Sequence, residues 1–108
     1  MGLTIELTQK VVLVTGVTSG IGAGIASMFA RAGATVAGCA RQPESSEGAR
    51  SFMREMERHG SQHLYLSGDL SDPGVPEVLV QEVADRMGRI DILVSNAGAN
   101  VFRGAEAC

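Results

Sequence analysis

The sequence has few of the residues that announce a chemistry by themselves. Of its 108 residues two are cysteines and two are histidines, and Lys10 is the single lysine. Cys39 lies within an apolar run and Cys108 is the last residue, so they do not form the spaced set that cross-links small secreted domains or holds zinc. Cys39 reads as a small buried hydrophobe. His59 and His63 flank a turn, with no cysteine or carboxylate at ligand spacing, so solvated loop histidines and no metal site are expected. The net charge of -3 comes without a basic cluster, which removes the electrostatic footprint of a nucleic-acid binder. No stretch approaches the roughly 18 apolar residues that a membrane-crossing helix needs. Met1 to Lys10 lack a basic segment followed by an apolar one, so no secretory signal is visible and a cytoplasmic protein is expected.

What is present is an ordinary globular composition, 44% hydrophobic and 19% charged, with 14 glycines that point to many tight turns. A chain of this size buries only about two-thirds of the surface it exposes when unfolded, so its core is thin unless something else covers it. Gly33, Gly60 and Gly88 recur at nearly even spacing, each followed by a short apolar run. That rhythm is a repeating strand-helix unit in which glycine ends each helix.

The first strand is Val11 to Thr15, an unbroken β-branched and aliphatic run suited to a parallel strand covered on both faces. A helix is expected from about Gly20 to Ala32, with Ile21, Ile25, Met28, Phe29 and Ala32 on its apolar stripe. The second strand runs from Thr35 to Ala40 and ends at Arg41-Gln42-Pro43, where proline cannot continue a ladder. Ser45 or Ser46 then caps a helix whose buried face is Ala49, Phe52, Met53 and Met56. His63 to Ser67 reads as the third strand. Asp72 is expected to cap a third helix, with Pro73 in its first turn and Val75, Leu79, Val83 and Met87 as its stripe. The fourth strand is expected over Ile90 to Ser95.

This alternation implies an α/β fold, a Rossmann-type doubly wound parallel sheet with strands 1 to 4 in the order 3-2-1-4. Ligands of such sheets bind at the switch point, here between the first and fourth strands. The fourth strand is apolar enough to want neighbours on both sides, and too little chain follows Ser95 to build a fifth. An uncovered apolar edge is an association hazard, so the sheet is expected to be incomplete; the alternative is a tolerated edge, or Val101 to Cys108 folding over it.

The turn after the first strand reads Thr15-Gly16-Val17-Thr18-Ser19-Gly20-Ile21-Gly22 and opens a helix. Glycines let backbone approach a ligand closely, and the free N–H groups at a helix start favour phosphate. A G-x-G-x-x-G fingerprint does not fit from Gly16, and the Gly-Lys-Ser/Thr of a P-loop is missing. What remains is T-G-x-x-x-G-x-G. Downstream stand Asp69-Leu70 after the third strand and Ser95-Asn96-Ala97-Gly98 after the fourth.

With these three motifs in order, the sequence resembles the short-chain dehydrogenase/reductase family from about Leu7 to Gly98. It departs from the family's N-N-A-G only in carrying Ser95 for the first Asn. The resemblance implies that residues 1–108 are the N-terminal part of a single NAD(P)-binding Rossmann domain. It implies that Gly16, Gly20, Ile21 and Gly22 line a pyrophosphate, with Thr18 and Ser19 as hydroxyl donors. It further implies that Asp69 accepts from the adenine amino group, that the Leu70 backbone meets a ring nitrogen, and that Asn96, Ala97 and Gly98 line the ribose and tie the fourth strand to the first. Thr15 reads as structural.

An NAD-selective site places a carboxylate at the end of the second strand, which a 2′-phosphate would repel. Here that position is Ala40, followed by Arg41, whose planar cation suits phosphate. NADP(H) is therefore expected, with NAD(H) second. Family members transfer hydride between nicotinamide and a carbonyl or alcohol, using a Ser and a Tyr-x-x-x-Lys. No catalytic residue of that kind is found in this chain: Tyr65, the only tyrosine, has Asp69 four residues on, and Lys10 precedes the first strand. The chain alone is expected to be inert, the complete protein to be an oxidoreductase acting on a small carbonyl or alcohol, and homo-oligomerisation is implied by the resemblance. Two other readings remain open, a non-catalytic nucleotide-binding module and a Rossmann methyltransferase, although Arg41 speaks against the latter.

Overall fold

The computed structural model describes residues 7–96. Strands and helices alternate along it: β1 (Val11–Thr15), α1 (Gly20–Arg31), β2 (Thr35–Ala40), α2 (Glu47–Arg58), β3 (His63–Ser67), α3 (Val75–Met87) and β4 (Ile92–Val94). All strand pairs are parallel and the order is β3-β2-β1-β4. This is the expected Rossmann-type arrangement.

The two-residue period of a strand divides the apolar run of β1 between two cores. Val12 and Val14 join Val36 of β2 beneath Ala26 and Ala30 of α1 and Ala49, Phe52 and Met56 of α2. Val11 and Leu13 join Ala37 and Cys39 beneath Leu79 and Val83 of α3. Full burial of each Val, Leu or Phe contributes about 1.5–3 kcal/mol, so an unbroken apolar strand is stable only with helices on both faces. Cys39 is buried, and burial pushes its thiol up to about 11.

Four sequence expectations are corrected. The stripe assigned to α1 does not face the sheet as a unit: Ile21 is 71% and Met28 52% exposed, while Gly22, Ala26 and Ala30 are the residues buried. Ile25 and Phe29 pack only at the margin of that core. Small residues let the helix axis approach the sheet, and they win over larger ones at this contact. The third helix is not capped by Asp72. Its N-cap is Gly74 at φ 92°, a left-handed conformation that breaks any helix running through it, and Pro76 rather than Pro73 lies in the first turn. The fourth strand, Ile92–Val94, is shorter than expected, because side chains replace backbone partners at both ends: Asp91 donates its N–H to the Val11 carbonyl at 2.8 Å but accepts the Val11 N–H with its Oδ2 at 2.8 Å, and the Asn96 N–H goes to Thr15 Oγ1.

Nor are the histidines solvated loop residues. His59 is the C-cap of α2, its side chain only 16% exposed, with Nε2 3.0 Å from both Glu55 Oε2 and Ser27 Oγ. Glu55 stands four residues earlier, the spacing that brings side chains together on a helix. His63 lies in β3 with its ring edge-on to Phe52.

Ser46, not Ser45, caps α2, its Oγ accepting from the Ala49 N–H at 3.2 Å. Among the described residues β4 pairs only with β1, and Ile92, Leu93 and Val94 are all half-buried. No helix among them is long and apolar enough to cross a membrane.

Candidate functional site

The glycine turn is held by a small set of hydrogen bonds centred on one carbonyl. Gly16, at φ 71°, donates its N–H to Cys39 O at 2.8 Å and turns the chain off the end of β1. Its carbonyl then accepts from the Ser19 N–H at 3.2 Å, from Ser19 Oγ at 2.9 Å and from Asn96 Nδ2 at 3.5 Å. Ser19 is the N-cap of α1, its Oγ accepting from the Gly22 N–H at 3.2 Å and from Asn96 Nδ2 at 3.1 Å. The side chain that caps the helix is thus also the one that fixes the turn.

Gly22 is required by close approach. A Cβ there would stand 2.8 Å from Asn96 Nδ2 and closer still to the Gly16 carbonyl oxygen. Its absence lets α1 begin directly against the turn. Gly20 and Ile21 are the first two residues of α1, whose N–H groups have no carbonyl four residues back within the helix to serve them. The first turn carries no acidic residue, so nothing of like charge competes with an anion at the positive helix end. These features fit a bound diphosphate.

Beside the turn, the carboxyl ends of β1, β2 and β3 enclose a cavity of about 520 Å³. Gly16 and Thr18 line one wall, Ala40, Arg41 and Gln42 a second, and Gly68, Asp69, Leu70 and Ser71 a third. The topology therefore brings Arg41 and Asp69, far apart in sequence, to one rim. Asp69 Oδ1 accepts from Ser71 Oγ at 2.7 Å and from the Ser71 N–H at 3.0 Å. Those bonds, with the Arg41 charge nearby, hold its carboxyl below the usual carboxylate range.

Both hydroxyls expected to reach a diphosphate are used within the protein. Ser19 donates to the Gly16 carbonyl, and Thr18 Oγ1 donates to Gln42 Oε1 at 2.9 Å. Asn96 sits where β4 ends, its N–H donating to Thr15 Oγ1 at 2.8 Å. Ala97 and Gly98 lie outside the described residues. Tyr65 is buried and packs against Phe52, with ring centroids 6.1 Å apart.

Sequence reasoning did not single out Ser71 or Gln42. The Asp-x-Ser spacing of residues 69 to 71 is a recognised turn signal in which the aspartate bonds backbone two residues on. No comparable signal marks Gln42.

A parallel 3-2-1-4 sheet with a glycine turn feeding a helix at its switch point defines the nucleotide-binding class of α/β proteins. Within that class, this chain belongs to the short chain dehydrogenase family, whose model matches residues 10–107. It is 40% identical over 102 residues to a hydroxynaphthalene reductase of Aspergillus fumigatus, covering 94% of this chain and 37% of that protein. It is 38% identical over 101 residues to a D-threitol dehydrogenase of Mycolicibacterium smegmatis, again covering 94% of this chain and 38% of the relative. The chain therefore spans a little over a third of the length of these relatives. Among solved structures, a short chain dehydrogenase from Burkholderia cenocepacia in complex with NADP superposes with a TM-score of 0.76 at 37% identity, covering 93% of this chain and 39% of the other.

Proposed function

We propose that this chain is the cofactor-binding front part, residues 1–108, of a single-domain NADP(H)-dependent oxidoreductase acting on a small carbonyl or alcohol. The observation that carries the cofactor choice is the second wall of the cavity, where buried Ala40 stands in place of a carboxylate and exposed Arg41 follows it. A 2′-phosphate is repelled by an acid at that position and bonded by a guanidinium. The NADP complex among the similar structures supports the same choice.

In this reading the N–H groups at Gly20 and Ile21 face the diphosphate, Gly16 turns the chain beneath it, and Gly22, whose N–H is held by Ser19 Oγ, lines it by letting the helix start close to the turn. Ser19 and Thr18 act by shaping the turn and its flank. Asp69 and Leu70 border the adenine, and Asn96, with Ala97 and Gly98, borders the ribose. When bound, the nicotinamide dinucleotide would give a hydride to a carbonyl or take one from an alcohol; the residues of this chain would bind and orient it. The chain carries no candidate for the proton-handling Tyr-x-x-x-Lys, since Tyr65 is a buried core residue, so turnover requires residues outside it. The complete protein is inferred to be a cytoplasmic homo-oligomer with no nucleic-acid partner.

Calorimetric titration of the full-length protein tests this reading. NADP(H) is expected to bind about tenfold or more tighter than NAD(H), the scale of one charge-assisted contact. Equal affinity for the two would overturn the cofactor assignment, and no binding of either would overturn the function.

A further inference from the structure

Just past β2 the parallel ladder runs out, yet its last carbonyls are still held from β3. The Ala40 carbonyl accepts from the Gly68 N–H at 2.9 Å. The next two carbonyls are served by side chains: Ser67 Oγ donates to Arg41 O at 3.2 Å, and Tyr65 OH donates to Gln42 O at 2.6 Å. Thr18 Oγ1 secures the Gln42 side chain from the opposite wall of the cavity. Pro43 follows and has no N–H to extend the pattern. An exposed Arg on a long side chain reaches a defined point only when the backbone beneath it is fixed.

We propose that Tyr65 and Ser67 are positioning residues that hold the Arg41-Gln42 backbone so that the Arg41 guanidinium meets the cofactor's 2′-phosphate, an inference that rests on the NADP(H) reading above. The Tyr65 ring packs in the core against Phe52, a task that Phe would perform equally well, so the distinctive contribution of tyrosine is its hydroxyl bond to Gln42. Burial raises the phenol above its ordinary range, which keeps it a donor. Ser67 is exposed and has no packing role to confuse with its bond to Arg41.

The test is calorimetric binding of NADP+ and NAD+, and of the fragments 2′-AMP and 5′-AMP, to the full-length protein and to its Tyr65→Phe, Ser67→Ala and Arg41→Ala variants. Tyr65→Phe and Ser67→Ala are each expected to weaken NADP+ and 2′-AMP by about threefold to tenfold, the scale of one hydrogen bond, and to leave NAD+ and 5′-AMP unchanged. In the Arg41→Ala background neither change should weaken NADP+ further, because both act through that side chain. Equal weakening of both dinucleotides would mark a merely structural role and overturn the proposal. So would full retention of selectivity in both variants, which leaves the NADP(H) reading standing. A wild-type protein that does not prefer NADP+ overturns that reading itself, and this inference with it.

Discussion

The amide of Asn96 donates to Oγ1 of Thr15 at 2.8 Å, fastening the end of β4 to the end of β1 across 81 positions of sequence. Thr15 is the one buried polar residue of β1, and its hydroxyl stands where the next ladder bond would fall.

Thr15→Val keeps the shape of the side chain and removes that acceptor. The part-buried Asn96 N–H then loses its partner, and a loss of about 1–3 kcal/mol is expected in urea unfolding. Thr15→Ser should recover most of it. Equal stability of the Val and wild-type proteins would show that the bond contributes nothing.

Two glycines of α1 should respond in opposite senses to alanine. At Gly22 the added methyl meets the Gly16 carbonyl and Asn96 Nδ2, and destabilisation of about 1–3 kcal/mol together with loss of cofactor binding is expected. At Gly24 nothing lies within 4 Å of the new carbon, and a gain of about 0.5–1 kcal/mol from helix propensity is expected. Thermal unfolding of the two variants beside wild type distinguishes them.

Asp91 couples the β1-β4 junction to pH. The Val11 N–H, and then Arg89, lower its carboxyl below the ordinary range in the folded protein. The stabilisation is therefore present at neutral pH, above the unfolded pKa of about 4, and is lost as pH falls through the lower folded value. Asp91→Ala should lower Tm at pH 7, and the gap from wild type should shrink steadily below about pH 4. A gap that stays constant down to roughly pH 2 would refute the linkage.

Cys39, buried under α3 with its thiol pushed up to about 11, should resist alkylation in the native protein at pH 8. Peptide mapping after iodoacetamide treatment is expected to find Cys39 modified only once denaturant opens the sheet. Rapid native labelling at that position would contradict the buried placement.

The strand order and the element boundaries near glycines were legible because they rest on local signals: an apolar run between turns, and a glycine where a helix must stop. The glycine turn and the motifs that hold Asp69 and Asn96 were legible for the same reason. The inward face of α1 was not. Spacing alone placed Ile21 and Met28 on the core stripe, whereas the contact distance between helix and sheet selected Ala26 and Ala30. The start of α3 was misread because Asp72-Pro73 forms a good cap signal, and Gly74 immediately after it overrides that signal with a left-handed residue. The hold that Tyr65 and Ser67 exert on Arg41 and Gln42 was invisible in the sequence, since it depends on the path the chain takes past the Ala40–Ser67 pair where β2 and β3 end together.

A turn that welcomes negative charge must first dispose of its own oxygens. By drawing the Gly16 carbonyl into Ser19 and Asn96, the protein sheathes the negative tip of a dipole in the turn proposed to hold a phosphate. In the proposed phosphate site an oxygen kept out of the way counts beside the amides at the helix start, and any change that frees that oxygen is expected to weaken anion binding there without touching a single donor.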